Sequence, residues 1–390
     1  MKKKGGPLSQ ITVIEFAGLG PAPFTGMMLA DMGARVIRID RPVKKMRKSG
    51  PAEGMQALTA KNNDVLSRGR ESITLNLKEP ESVEIALKLI EKADALIEGF
   101  RPGVMESLGL GPDICQKHNP ALVYGRVTGW GQTGPLAHAA GHDINYTALS
   151  GALHSCAGAD HAPYPTPGLI GDFGGGGMLL AFGLLAGIIE ARSSGLGQVV
   201  DASISDGSAL LTALIQGWHS TGLWNEKAGT NNGDGGAHFY NTYQCADGKF
   251  ISIGSMEPQF YQLLREKCNL NSVAFNAQWD QTQWPALKEN LADIFRKKTR
   301  QEWCDLLEGT DACFAPVLSL SEAPLHPHNM ARNTFAKVNG VTQPAPAPRF
   351  SRTPADTCKE VGVAGAQNQQ LLKEIGYSDK DINRLTSSLS

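Results

Sequence analysis

The chain has 390 residues, a formal net charge of −1, 41% apolar residues and 19% charged ones. At roughly 150 residues per folding unit, that length provides two or three units with a sizeable core, and the composition is globular rather than disordered or fibrous. The near-zero charge excludes nucleic acid as the main partner, because binding to backbone phosphates needs an excess of Lys and Arg.

Met1-Lys2-Lys3-Lys4 has the charge of a secretory leader, but Gly5-Gly6-Pro7 stands where the apolar stretch should follow, so no signal peptide is expected. Over residues 11 to 130, short β-branched runs alternate with helical patterns: strands at 11–16, 35–40, 95–100 and 122–127, helices at 24–32 and 80–93. That rhythm predicts a parallel sheet in an α/β fold. In the 80–93 helix, Val83, Ala86, Leu87 and Ile90 recur at helical spacing behind Pro80 and Glu81, so this stripe should face the sheet. The polar stretch 42–67, with Lys44, Lys45, Arg47 and Lys48, is too long for a simple connector and reads as a functional or mobile loop.

The apolar run 174–189 falls short of the ~20 residues a bilayer span needs and stops at Glu190 and Arg192, so it is expected to be a buried helix. A strand at 197–204 and a helix at 206–218 follow. Residues 222–236, rich in Gly and Asn, mark a linker between a large α/β domain (1–221) and a small α+β domain (237–325). In the latter, Ala246-Asp247-Gly248 joins a hairpin of 239–245 and 249–255, followed by helices at 259–270, 285–298 and 301–307. Residues 326–390 return to the large domain through a proline-rich segment at 344–348 and end in a helix at 368–375. The 7 cysteines (Cys115, Cys156, Cys245, Cys268, Cys304, Cys313, Cys358) are scattered and form neither a zinc motif nor a disulfide framework, so reduced thiols and no metal are expected.

Three constellations carry possible chemistry. Gly18-x-Gly20 after the first strand, with Asp40 at the end of the second, imitates a dinucleotide fingerprint, but Pro21 and Pro23 remove backbone N–H groups a pyrophosphate would use. Arg38, Arg41, Arg68, Arg70 and Arg101 fall at strand ends and loops, either as phosphate ligands or as a solvated rim. The third is Gly141-His142-Asp143-Ile144-Asn145-Tyr146 with Gly171-Asp172 and the glycines that follow. A histidine takes a proton near neutral pH and a carboxyl of raised pKa returns one from the other side. The alternative is a structural His142 and an Asp172 that caps a helix starting near Gly175.

The chain resembles the α-methylacyl-CoA racemases within the family III CoA-transferase superfamily. The resemblance runs through Val13-Ile14-Glu15, the segment 29–36, Gly99-Phe100-Arg101-Pro102-Gly103, 141–146, 171–176, Gly197-Gln198-Val199-Val200-Asp201 and Glu257-Pro258-Gln259-Phe260-Tyr261. It implies a large Rossmann-like parallel-sheet domain plus a small α+β domain, in an interlocked homodimer. It also implies a racemase that interconverts (2R)- and (2S)-2-methylacyl-CoA through an enolate, with His142 and Asp172 as the two bases and Glu257 polarising His142, across the subunit interface. Arg38, Arg68, Arg70, Arg101 and Tyr146 would hold CoA, and backbone N–H groups near His142 and Asp143 would face the enolate oxygen. No metal or organic cofactor is implied, CoA being part of the substrate, and no membrane partner. Gly168 departs from the family pattern, which has Asn there and supports the aspartate. Two other readings stay open: CoA transfer between carboxylic acids through Asp172 as nucleophile, and a CoA- or nucleotide-binding protein without turnover. A cytoplasmic location is expected, with a peroxisomal or mitochondrial one left open; Ser387-Ser388-Leu389-Ser390 is not the peroxisomal Ser-Lys-Leu ending.

Overall fold

The computed structural model describes residues 5–42, 64–159, 162–355 and 359–389. Lys44, Lys45, Arg47 and Lys48 of the polar stretch, and Cys358, lie outside the described residues. The chain divides into two compact units, one of residues 1–150, 166–211 and 331–390, the other of 151–165 and 212–330. The change of unit therefore falls at Thr212, not at 222–236, because the helix expected over 206–218 is broken there into two.

In the large unit the elements are β1 (Thr12–Phe16), α1 (Pro21–Asp31), β2 (Arg35–Asp40), β3 (Arg70–Thr74), α2 (Pro80–Ile90), β4 (Ala95–Glu98), β5 (Val123–Thr128) and α3 (Asp143–Leu149). A π-helical run (Leu169–Met178) then continues into α4 (Leu179–Ser194), followed by β6 (Val199–Ser203) and α5 (Ile204–Leu211). The strand order is β3-β2-β1-β4-β5-β6 with every neighbouring pair parallel. Helices cover both faces, which is why β4 is buried at all of Ala95–Glu98 and reads as a continuous run rather than an alternation. The order reverses between β1 and β4, and in sheets of this kind ligands sit beyond the carboxyl ends of the strands at that reversal.

One core packs α2 and the C-terminal helices on one face, with Ile85, Leu89, Leu371 and Leu385; the other packs α1 and α4, with Leu29, Leu180 and Leu184. Burying such a side chain stabilises by about 2 kcal/mol. The buried stripe of α2 is Ile85, Ala86, Leu89 and Ile90; Val83 and Leu87, assigned to that face from spacing, are only partly buried at its edge. β3 went unpredicted because its sequence, Arg-Glu-Ser-Ile-Thr, has no apolar run. The chain also does not end its structure at 375: a last helix, Asp379–Leu389, places Ile382 and Leu385 in the core.

The apolar helix is longer than its composition suggested. Leu169–Ser194 runs for 26 residues, long and apolar enough by length and composition to cross a membrane. The glycines at its start hid that length. Within the large unit Leu180, Leu184 and Ile188 are buried in the sheet-facing core.

The small unit holds an antiparallel sheet of β7 (Tyr240–Gln244), β8 (Phe250–Gly254) and β9 (Phe314–Val317), with α6 (Pro258–Cys268), α7 (Trp284–Phe295) and α8 (Arg300–Leu307). Phe239, Tyr261, Trp284 and Phe295 fill its core. Gly248 has φ +76 in the hairpin turn, a conformation that costs glycine nothing. The six described cysteines are free thiols.

Candidate active site

His142 is the N-cap of α3, extended at φ −134 and ψ 172, with an exposed side chain. Its backbone N–H donates to Asn145 Oδ1 at 3.0 Å. One turn later Tyr146 reaches back: its hydroxyl donates to the Gly141 carbonyl, and its buried ring meets Trp130 edge to face at 4.7 Å. The main chain that carries His142 is thus fixed on both sides while the imidazole is left free to face a ligand.

Asp172 lies in the first turn of the π-helical run, which starts after Gly168 at φ +71. It does not cap a helix beginning near Gly175, because helix has already formed before it. Extra-wide turns of this kind re-aim side chains and are frequent at functional sites. The Asp172 N–H donates to Asp143 Oδ1 at 2.8 Å. The approach at Gly171 is close, since a Cβ there would lie 2.2 Å from Asp143 Oδ1 and displace that carboxylate. Phe173 packs on Phe24 of α1 at 4.9 Å, and Thr25 Oγ1 donates to the Gly177 carbonyl at 2.8 Å. Burial pushes the Asp172 carboxyl up to about 6; the Asp143 charge adds to the rise and His142 opposes it. A carboxyl so placed gives and takes a proton near neutrality.

A cavity of about 260 Å³ opens beyond the carboxyl ends of β4 and β5, lined by Arg101, Trp130, Gly141, His142 and Tyr146 among others. Trp130 Nε1 is buried there without an acceptor among the described residues. Phe100 is shared with a second cavity of about 600 Å³, where Arg41 and Lys78 supply positive charge. Arg41 lies over the Phe100 ring at 5.9 Å.

The structure brings together His142, Asp143, Tyr146, Asp172 and, at the cavity, Arg101. It does not bring Arg38, Arg68 and Arg70 to a phosphate site. Arg68 is 2% exposed and donates to Asp31, Gln343 and the Pro344 carbonyl. Arg70 pairs with Glu15 at 2.9 Å and donates to two backbone carbonyls, and Arg38 is held by Asp40 and Ser67. The physical reason is that each guanidinium meets a carboxylate of its own unit: Arg68 meets Asp31 at the end of α1, Arg70 meets Glu15 of β1, and Arg38 meets Asp40 of its own strand. The dinucleotide imitation is resolved in the same way. Asp40 is taken by Arg38 and Ser72, and the Gly20 turn is filled on its ligand side by Asp172: a Cβ on Gly20 would lie 3.3 Å from Asp172 Oδ2.

Of the two backbone N–H groups expected to face an enolate, that of His142 is engaged by Asn145, while none of the described residues accepts from that of Asp143. Glu257 is the exposed N-cap of α6 in the small unit. Sequence reasoning missed the Asp143 carboxylate, Trp130, and Lys78. The signal for Trp130 was present, an aromatic residue held between Gly129 and Gly131 directly after a strand.

The model of the family described as CoA-transferase family III matches residues 8–366. An α-methylacyl-CoA racemase from Mus musculus is 41% identical over 382 residues, covering 97% of this chain and 96% of that protein. An acetyl-CoA:oxalate CoA-transferase from Acetobacter aceti is 31% identical over 352 residues, with 88% of each chain covered. Among solved structures, a CAIB/BAIF family protein from Brucella suis superposes with a TM-score of 0.80 at 22% identity, covering 95% of this chain and 100% of that one, a likeness of fold. The chain belongs to CoA-transferase family III.

Proposed function

We propose that this chain is a racemase of 2-methylacyl-CoA thioesters that needs no metal or organic cofactor. The observation that carries the reading is the Asp143 contact, which sets an aspartate with a carboxyl raised to about 6 beside the histidine that begins α3. The likeness to the mouse racemase, stronger than that to the Acetobacter transferase, supports it.

In one direction neutral His142 removes the proton from C2, and the electron pair moves through the C2–C1 bond onto the thioester oxygen. Protonated Asp172 then returns a proton to the opposite face of C2, and the enolate collapses. The reverse direction starts from imidazolium and carboxylate. The Asp143 N–H is the donor for the enolate oxygen, a contact worth roughly 3 to 4 kcal/mol in other enzymes. Arg101, with Arg41 and Lys78 beyond Phe100, would meet the CoA phosphates in place of Arg38, Arg68 and Arg70.

The working form is a homodimer in which Glu257 of a second copy polarises His142. Exposed apolar side chains such as Phe182 and Ile189, each 72% exposed, support an oligomer.

Incubating each 2-methylacyl-CoA epimer in D₂O tests the chemistry. Inversion with deuterium entering C2, lost in both directions in His142→Ala and Asp172→Ala, is expected. Silence toward both epimers, with acceptor-dependent CoA exchange and a hydroxylamine-trapped adduct at Asp172, would overturn it in favour of the transferase.

A further inference from the structure

We propose that the Asp143 side chain is a clasp that fixes the spacing of the two bases and sets a carboxylate beside Asp172. The carboxylate positions, acting through Asp172, while the backbone N–H of the same residue is the group proposed to meet substrate. This rests on the racemase reading for its kinetic consequences and on geometry for the rest.

Asp143 follows His142 directly, and its Oδ1 takes the backbone N–H of Asp172 at 2.8 Å. One carboxylate therefore ties the start of α3 to the turn that carries the second base. The tie is close, since even a methyl group at Gly171 would collide with Asp143 Oδ1 at 2.2 Å and with Thr147 at 3.0 Å. Thr147, in turn, bonds the Asp143 carbonyl at 2.9 Å, so the clasp is anchored at its own base. A negative charge beside Asp172 disfavours a second one. The contact that sets the position thus also adds to the rise in proton affinity that burial begins.

The other groups around Asp172 do not supply this effect. His142, on the same helix, acts in the opposite sense. Tyr146, which feels both Asp172 and Arg101, has its phenol raised first by burial. On the α1 side the neighbours are Gly20, Pro21 and Phe24, which carry no charge. α5 approaches with Gly207 and Ser208, and its sequence holds one charge, Asp206.

The test compares Asp143→Asn, which keeps an acceptor oxygen and removes the charge, with Asp143→Ala, which removes both. The Asp172 carboxyl is followed by carbon-13 NMR in the full chain, assigned by its absence in Asp172→Asn. In Asp143→Asn its midpoint should fall by roughly half a unit or more. The pH profile of kcat/KM should move to lower pH by a similar amount, with KM changed less than about twofold. Asp143→Ala should lose roughly 10- to 100-fold in kcat, because the second base is no longer held in place. An unmoved or raised Asp172 midpoint in Asp143→Asn overturns the clasp, as does wild-type kcat in Asp143→Ala; if the alanine variant fails to fold, the isosteric variant decides. A shifted midpoint in a chain that turns over no acyl-CoA would uphold the clasp and defeat the racemase reading.

Discussion

Gly207 of α5 and Gly175 of the π-helical run meet backbone to backbone: a Cβ on Gly207 would lie 1.9 Å from the Gly175 carbonyl oxygen. The crossing presses the run that carries Asp172 against α5, and its partner is backbone, which cannot rotate away. Gly207→Ala should therefore cost about 3 kcal/mol in urea unfolding and displace Asp172, lowering turnover further than stability alone explains. Gly217, inside the helix Ala213–Ser220, is the contrast, since an added methyl group there would meet nothing within 4 Å among the described residues. Gly217→Ala should be neutral or gain up to about 1 kcal/mol. Equal effects from the two would refute the crossing as the constraint.

Arg68 and Arg70 should behave as structural residues. Removing one partner of a buried pair leaves the other charge uncompensated, at about 3 to 5 kcal/mol. Arg70→Met should thus lower stability by that order, through Glu15, which is fully buried and whose carboxyl burial pushes up against the pull of Arg70. Arg101→Ala, at an exposed cavity position, should leave unfolding unchanged and raise KM for acyl-CoA roughly tenfold. A rise in KM for Arg70→Met with unchanged stability would return Arg70 to the phosphate site.

The parallel sheet was legible because β1, β2, β4 and β5 are short runs rich in β-branched and apolar residues, and His142 and Asp172 stood out as candidates from their motif segments and a family resemblance. β3 was not, since its Arg70 and Glu71 mask a strand whose charges are paired inside the unit. The start of the long helix was hidden by Gly174 to Gly177, whose low helix propensity is overridden by packing against α1 and α5. The arginines were ambiguous for a related reason: a guanidinium at a strand end looks identical in sequence whether it meets a phosphate or a buried carboxylate. The Asp143 contact depends on a turn geometry that no local pattern encodes.

Gly168→Asn tests whether Asp172 gains from a neighbouring amide. The φ of +71 is one that Asn tolerates better than most residues, and a Cβ would meet the Phe173 ring at 3.2 Å, close enough to require a small ring shift. It would lie 3.8 Å from Asp172 Cβ, within an amide's reach of the carboxyl. We expect a folded variant destabilised by about 1 kcal/mol, with a changed pH optimum. An optimum identical to wild type would show that the amide gives no support.

Asp172 also links stability to pH. Its carboxyl is raised from 3.8 to about 6 in the folded chain, so between those values the folded form holds a proton that the unfolded form has released. This contribution is fully present below about pH 4 and is lost as pH rises through about 6. The neutral isostere in Asp172→Asn should match wild type near pH 4 and exceed it above pH 6. A difference in urea midpoints that does not vary with pH would count against a raised carboxyl.

The rate profile follows from proton counting. In the proposed mechanism, reaction from one epimer needs neutral His142 with protonated Asp172, and from the other imidazolium with carboxylate. Both forms carry one proton on the pair, so they are tautomers whose ratio does not depend on pH. The kcat/KM profiles in the two directions should therefore superimpose as one bell, falling about tenfold per pH unit on each side. The limbs belong to the coupled pair rather than to either residue. With Asp172 raised to about 6, one apparent ionisation should fall within about a unit of that value. The measurement is initial rates from each pure epimer across roughly pH 5 to 9. A single limb without a bell would remove one of the two bases, and a bell retained in Asp172→Asn would remove Asp172.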